Sequence, residues 1–216
     1  KIKSLTKDPK FPVMIDEEGN SVSRLSNIIN HNISSSFFGN LYLYDKTLCF
    51  DVLKLYLNSL SQILNNLGIN INSIPVLDVL RNNTSKVIGN RSFSKDKKIV
   101  KELGKFTIKQ LNKKNIGTII KHIPGHGCAT LDSHYKMPIV SLNEDKLNKI
   151  DFFPFKNSQA KFAMTAHILY KKIDKNNVAT FSKKIINEVI RKKIKFKGIL
   201  MSDDISMKAL KFDLIT

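Results

Sequence analysis

The stretch GTIIKHIPGHGCATLDSH, Gly117 to His134, changes character half-way. Its first part, GTIIKHI (117–123), is a nearly continuous apolar run of strand length, which suits a strand buried on both faces of a parallel sheet. Its second part is a turn-rich polar segment carrying His126 and His134, Gly125 and Gly127, and Pro124. Three readings are open at this point: a metal site, a catalytic loop at a strand end, or a polar turn without further role.

The same grammar recurs outward from this stretch. Helical stripes precede three of the apolar runs. Leu53, Leu57, Leu60 and Leu64 form one, stopped by Gly68; Ile99, Leu103, Phe106 and Leu111 form the second; Ile185, Val189 and Ile190 form the third. The runs that follow are INSIPVLDV (71–79), GTIIKHI (117–123) and KGILMSDD (197–204). Two more such runs are FPVMID (11–16) and KFAMTAHI (161–168). Alternating helix and buried strand predicts βα units around a parallel sheet. Residues 142–159 read as a longer connection with a short helix, inside a single domain spanning 1–216.

Each apolar run ends on a polar group: Asp16, Asp78, Lys121 with His122, His167, and Asp203 with Asp204. In parallel α/β folds the C-terminal strand ends form the active site, so these residues are the first candidates. Asp132 and His134, two apart after the strand, have the types of a carboxylate that orients an imidazole. Asp203 has the chemistry of a nucleophile, while Asp204 reads as the cap of a following helix. His122 and His126 are four apart, but Pro124 and the glycines argue against the helix that would align them on a metal. His167 reads equally as a core histidine or a lining residue. Arg24 and Arg91 stand out in a chain whose basic set is mostly lysine.

Composition narrows the class. The 216 residues carry 42% hydrophobic and 25% charged residues, ordinary for a globular protein. The net charge of +18 arises from lysines spread over every segment, so no nucleic-acid partner is expected. No apolar run reaches membrane-span length and no signal-peptide pattern is evident, so no membrane association is expected. Two cysteines, Cys49 and Cys128, give no disulfide framework and fit a reducing, cytoplasmic setting.

Taken together, MIDEEGNSVSRL, IPVLDV, IGNRSFSKD, KHIPGHGCATLDSH, MTAHI and FKGILMSDDISMKAL resemble, in order and spacing, the motifs of glycoside hydrolase family 3, in its β-N-acetylglucosaminidase branch of the peptidoglycan-recycling type. The resemblance runs from about Pro12 to Leu210. It implies an α/β fold, a (β/α)8 TIM-like barrel, incomplete at both ends in this chain. It implies retaining cleavage of terminal β-linked N-acetylglucosamine from muropeptides or chito-oligosaccharides, by a monomer without cofactor or metal. On matching positions, Asp203 is the expected nucleophile and His134 the acid/base, assisted by Asp132. Asp16, Arg24, Arg91, Lys121 and His122 are the expected sugar contacts, and the glycines are expected to let the His134 loop fold over the sugar. The family's usual second glycine in the first motif is Asn20 here, a residue that tolerates left-handed backbone. Two rival expectations remain: a catalytically inactive sugar-binding remnant, and a charge-driven nucleic-acid module.

Overall fold

A computed structural model of the chain describes residues 2–29, 32–132, 137–207 and 210. In chain order its elements begin with α1 (Ile2–Thr6), β1 (Met14–Ile15), α2 (Ser35–Tyr44), α3 (Lys46–Asn66) and β2 (Ile71–Asn72). A 3-10 turn (Gly89–Arg91), α4 (Lys97–Lys113), β3 (Gly117–Ile123), β4 (Ile139–Val140) and α5 (Glu144–Lys149) follow. The series closes with β5 (Phe162–Thr165), β6 (Leu169–Tyr170), a π-wound helix (Ile185–Lys193) and β7 (Ile199–Ser202).

Five strands form one sheet in the order β1-β2-β3-β5-β7, every neighbouring pair parallel. With helices on its outer face this is an open half-barrel, the α/β arrangement expected of an incomplete TIM-like barrel. Its outer strands leave Met14 45% and Ile199 62% exposed, as unpaired edges do. β3 occupies the whole predicted run 117–123, and six of its seven residues are buried.

Sequence patterning dictates the helices directly. α3 starts where the Asp45 carboxylate accepts the Leu48 N–H, and buries Cys49, Leu53, Leu57, Leu60 and Leu64 along one stripe. It stops at Gly68, whose φ of 76° is left-handed. α4 is capped by Asp96, buries Ile99, Val100, Leu103, Ile108 and Leu111, and ends before Asn115 at φ 59°. The third predicted stripe forms a helix of the wider π type, with the Ile194 N–H reaching back to the Val189 carbonyl.

Two expectations need adjustment. The run 71–79 pairs as a strand only at Ile71 and Asn72; beyond them a bridge joins Val76 to Lys121. Pro75 carries no N–H for the ladder, which is why the pairing lapses there. A separate parallel pair, β4 with β6, was not anticipated, since two-residue strands show no period.

α2 comes so close to the Phe93 carbonyl that a Cβ built on Gly39 would lie 1.6 Å from that oxygen. Gly39→Ala must therefore separate two backbones, and is expected to cost roughly 1–3 kcal/mol. In a thermal melt that corresponds to a drop of roughly 3–10 °C.

Candidate active site

The C-terminal strand ends converge on a cavity of about 520 Å3 lined by Asp16, Glu18, Arg24, Arg91, Lys121, His122, His126 and Asp203, among others. All five expected sugar contacts and the expected nucleophile are therefore brought together. Asp132 is described and partly exposed but is not among the lining residues, and His134 lies outside the described residues.

Lys121 is the centre of the floor. Its side chain is 3% exposed, and its ammonium meets Glu18 Oε1 at 2.6 Å, Asp16 Oδ1 at 2.9 Å and Ser73 Oγ at 2.8 Å. β3 leaves its regular register between Lys121 and Ile123, so strict alternation lapses there and Lys121 and His122, though adjacent, both face the cavity. Glu18 accepts from Arg91 through both oxygens at 2.8 Å, a bidentate pair. Arg91 is delivered by the 3-10 turn and also donates to the Val87 carbonyl. Burial alone would raise the carboxyls of Asp16 and Glu18; the Lys121 ammonium beside both, with Arg91 also holding Glu18, outweighs it and keeps them below their usual range.

His122, the next residue, is anchored from behind. Its Nδ1 lies 2.7 Å from Asp78 Oδ2, and its Nε2 lies 3.5 Å from Arg91 Nη2 and 4.0 Å from Asp203 Oδ2. Asp203 stands just past β7, its side chain 20% exposed, with Oδ1 accepting the Asp204 N–H at 2.8 Å. Asp204 Oδ1 accepts from the N–H and the hydroxyl of Ser206, so Asp204 caps a turn at 205–206, where the start of a helix had been expected. The Arg24 N–H is held by the buried Glu17 carboxylate, and Asn20 adopts φ 49°, so the turn survives without the family's glycine.

His167 resolves to the core: it is 1% exposed, bonded to the Thr180 hydroxyl and the Asp204 carbonyl. Burial raises the Cys128 thiol well above its usual pKa, which disfavours a thiolate nucleophile. Among the described residues no group of three His, Cys, Asp or Glu side chains is gathered as a metal site would require.

The glycines behave differently from expectation. Added Cβ atoms on Gly125 and Gly127 would stand 2.8 Å from the Asp151 carbonyl oxygen and 1.8 Å from that of Val79. Tyr170 donates to the Gly125 carbonyl, Thr84 to that of Gly127, and Arg81 clamps Asp151. These glycines pin the first part of the loop by close packing, where freedom to close had been expected of them.

Sequence reasoning did not single out Glu18 or Glu17; it weighed His126 only as a metal ligand and named Asp78 only as a strand-end candidate without a specific role. Asp78 at a strand end was the available signal; nothing local in EEGN marks either glutamate.

The profile of the glycosyl hydrolase family 3 N-terminal domain matches residues 13–214. The chain belongs to that family. Beta-hexosaminidase A of Pseudoalteromonas piscicida is 33% identical over 92% of this chain, which spans 35% of that relative's length. NagZ of Neisseria gonorrhoeae, solved in complex with N-trifluoroacetyl-D-glucosamine, is 30% identical with a TM-score of 0.85, covering 92% of this chain and 59% of that one. A family 3 β-N-acetylglucosaminidase of Paenibacillus sp. str. FPU-7 is 27% identical with a TM-score of 0.85, covering 97% of this chain and 39% of that one. This family 3 chain therefore spans between about a third and three fifths of the length of these relatives.

Two predictions follow from the charges. Glu18→Gln removes the carboxylate that both Lys121 and Arg91 rely on, and is expected to lower stability in urea titrations by about 3–5 kcal/mol. His126 is held neutral: burial, aided by repulsion from His122, lowers its pKa from 6.5 to about 4. Between those values the unfolded chain binds a proton that the native one does not, so stability falls as pH drops from 6.5 toward 4. The full effect is about 3 kcal/mol. His126→Gln is expected to flatten the urea midpoint over that range. Below it, protonation of Asp16, Glu18 and Asp78, whose native pKa values are depressed, destabilises both proteins alike.

Proposed function

We propose that residues 1–216 are a single family 3 catalytic barrel domain, or the larger part of one. Its reaction is retaining exo-cleavage of terminal β-linked N-acetylglucosamine from muropeptides or related chito-oligosaccharides. The observation that carries this reading is the place of Asp203: a partly exposed carboxylate at a strand end, in one cavity with Asp16, Arg24, Arg91, Lys121 and His122.

In this reading the cavity floor binds the sugar. Lys121, Arg24 and Arg91 donate to hydroxyls, Asp16 accepts from them, and Glu18 keeps the two inner cations compensated so that neither leaves an uncompensated charge in the floor. Asp203 Oδ2, opposite the oxygen tied to the Asp204 N–H, attacks the anomeric carbon and forms a glycosyl ester. Protonated His134, assisted by Asp132, gives its proton to the departing glycosidic oxygen. Neutral His134 then takes a proton from water, which attacks the anomeric carbon and frees Asp203. Two inversions at one carbon return the original anomer. An imidazole suits both halves, because its ordinary pKa lies near neutrality.

The substrate class is supported by the relatives named above and by the amino sugar held in the gonococcal NagZ structure. No helix among the described residues is long and apolar enough to cross a membrane. We take the protein to act as a monomer in the cytoplasm, without nucleic-acid or membrane partners, the reducing setting that its two free cysteines suit.

An aryl β-N-acetylglucosaminide tests the reading. The wild type is expected to release the aryl alcohol, and Asp203→Ala and His134→Ala to lose turnover, the former by on the order of 10^3-fold or more. Saturable binding of N-acetylglucosamine without turnover, or full turnover by both variants, would contradict it.

A further inference from the structure

The sugar contacts and the nucleophile leave one wholly buried carboxylate at the strand ends without a part. Asp78 is 0% exposed, stands 44 residues before His122 in sequence, and reaches the cavity through His122 and His126, both of which line it. Its oxygens are committed to donors. Oδ1 receives the His126 N–H at 2.6 Å, and both oxygens face the His122 N–H at 3.3 Å. Oδ2 is left to face His122 Nδ1 at 2.7 Å.

We propose that Asp78 is a positioning residue: it keeps a proton on His122 Nδ1 and turns Nε2 toward the cavity, where Nε2 meets Arg91, Asp203 and the sugar. This rests on the function proposed above for the same cavity. A carboxylate that accepts two backbone N–H groups has only acceptor capacity left, so the atom facing its remaining oxygen must donate. In a neutral ring the proton therefore sits on Nδ1, and Nε2 offers a lone pair. That lone pair lies 3.5 Å from an Arg91 Nη2, which can only donate. A sugar hydroxyl between them can give its proton to Nε2 and accept from Arg91, so its place is fixed from both sides. Ionised Asp78 is the form that does this. Burial opposes its ionisation, but the hydrogen bonds from the His122 ring and the His126 backbone N–H help hold its pKa below the usual value.

The geometry supplies its own test. In Asp78→Asn the amide oxygen can stand at Oδ1 and keep the backbone N–H donors, while the amide nitrogen stands at Oδ2. Facing a donor, His122 Nδ1 must accept, and its proton moves to Nε2, against the Arg91 guanidinium. Proton-detected 15N spectra of the ring nitrogens, assigned with a His122→Gln variant, read this directly. The wild type is expected to show Nδ1 protonated, and Asp78→Asn to show Nδ1 unprotonated with Nε2 protonated. Hydrolysis of the aryl glycoside is expected to fall about 100-fold in kcat/KM. An unprotonated Nδ1 in the wild type overturns the proposal, and that reading survives even if the variant does not fold. A folded Asp78→Asn protein with the wild-type ring state, or with undiminished kcat/KM, overturns it too. Absence of hydrolysis by the wild type would count against the proposed function alone, because the ring signals decide the part of Asp78 without any turnover.

Discussion

A buried ammonium organises the mouth of this half-barrel. Lys121 lies at the end of the central strand, 2% exposed, where an uncompensated charge would be untenable. Its compensation draws in Glu18 and Asp16 from the segment after β1, and Ser73 from the segment after β2. Glu18 in turn fixes Arg91, which arrives from the 3-10 turn more than 70 residues later. Three separate chain segments are thus locked to one strand by a single set of charges. The sugar-sized cavity is the space left above them. The cost of burying these ions brings no obvious gain in stability over an apolar floor. It does make a floor of fixed donors and acceptors, which suits the sugar ligand proposed above.

The second constraint is steric. Gly125 and Gly127 sit against the backbones of Asp151 and Val79, and the Tyr170 hydroxyl and Thr84 hold their carbonyls. This brings the His126 N–H onto Asp78, so the same carboxylate reads both the strand end and the loop that leaves it. The loop's anchored portion and the cavity floor are therefore one mechanical unit. The anchoring extends to Ala129, whose carbonyl accepts the Ser85 N–H at 2.8 Å.

What the sequence disclosed was whatever repeats or punctuates locally. The run 117–123 became β3 to the residue because its apolar character is continuous and Pro124 ends it. The leucine stripe of α3 and its stop at Gly68 were equally plain, as were the polar residues ending each run. What stayed hidden depends on contacts between distant positions. Glu18 carried no local signal because its partners lie 73 and over 100 residues away. Asp78 was visible at a strand end, yet its role needs His122 and His126, known only once β3 lies beside it. The brief pairing at β2 reflects Pro75, a local cause that a strict reading of the proline would have found.

Trapping the glycosyl-enzyme tests the central claim most directly. An activated N-acetylglucosaminyl donor, bearing a ring fluorine that slows the second step, would be incubated with the protein and the digest read by mass spectrometry. The account predicts one added fluoro-N-acetylhexosaminyl mass, on the peptide carrying Asp203 and lost on mild base treatment as an ester would be. A label on any other residue, or a protein that turns the donor over without ever carrying it, would contradict the account.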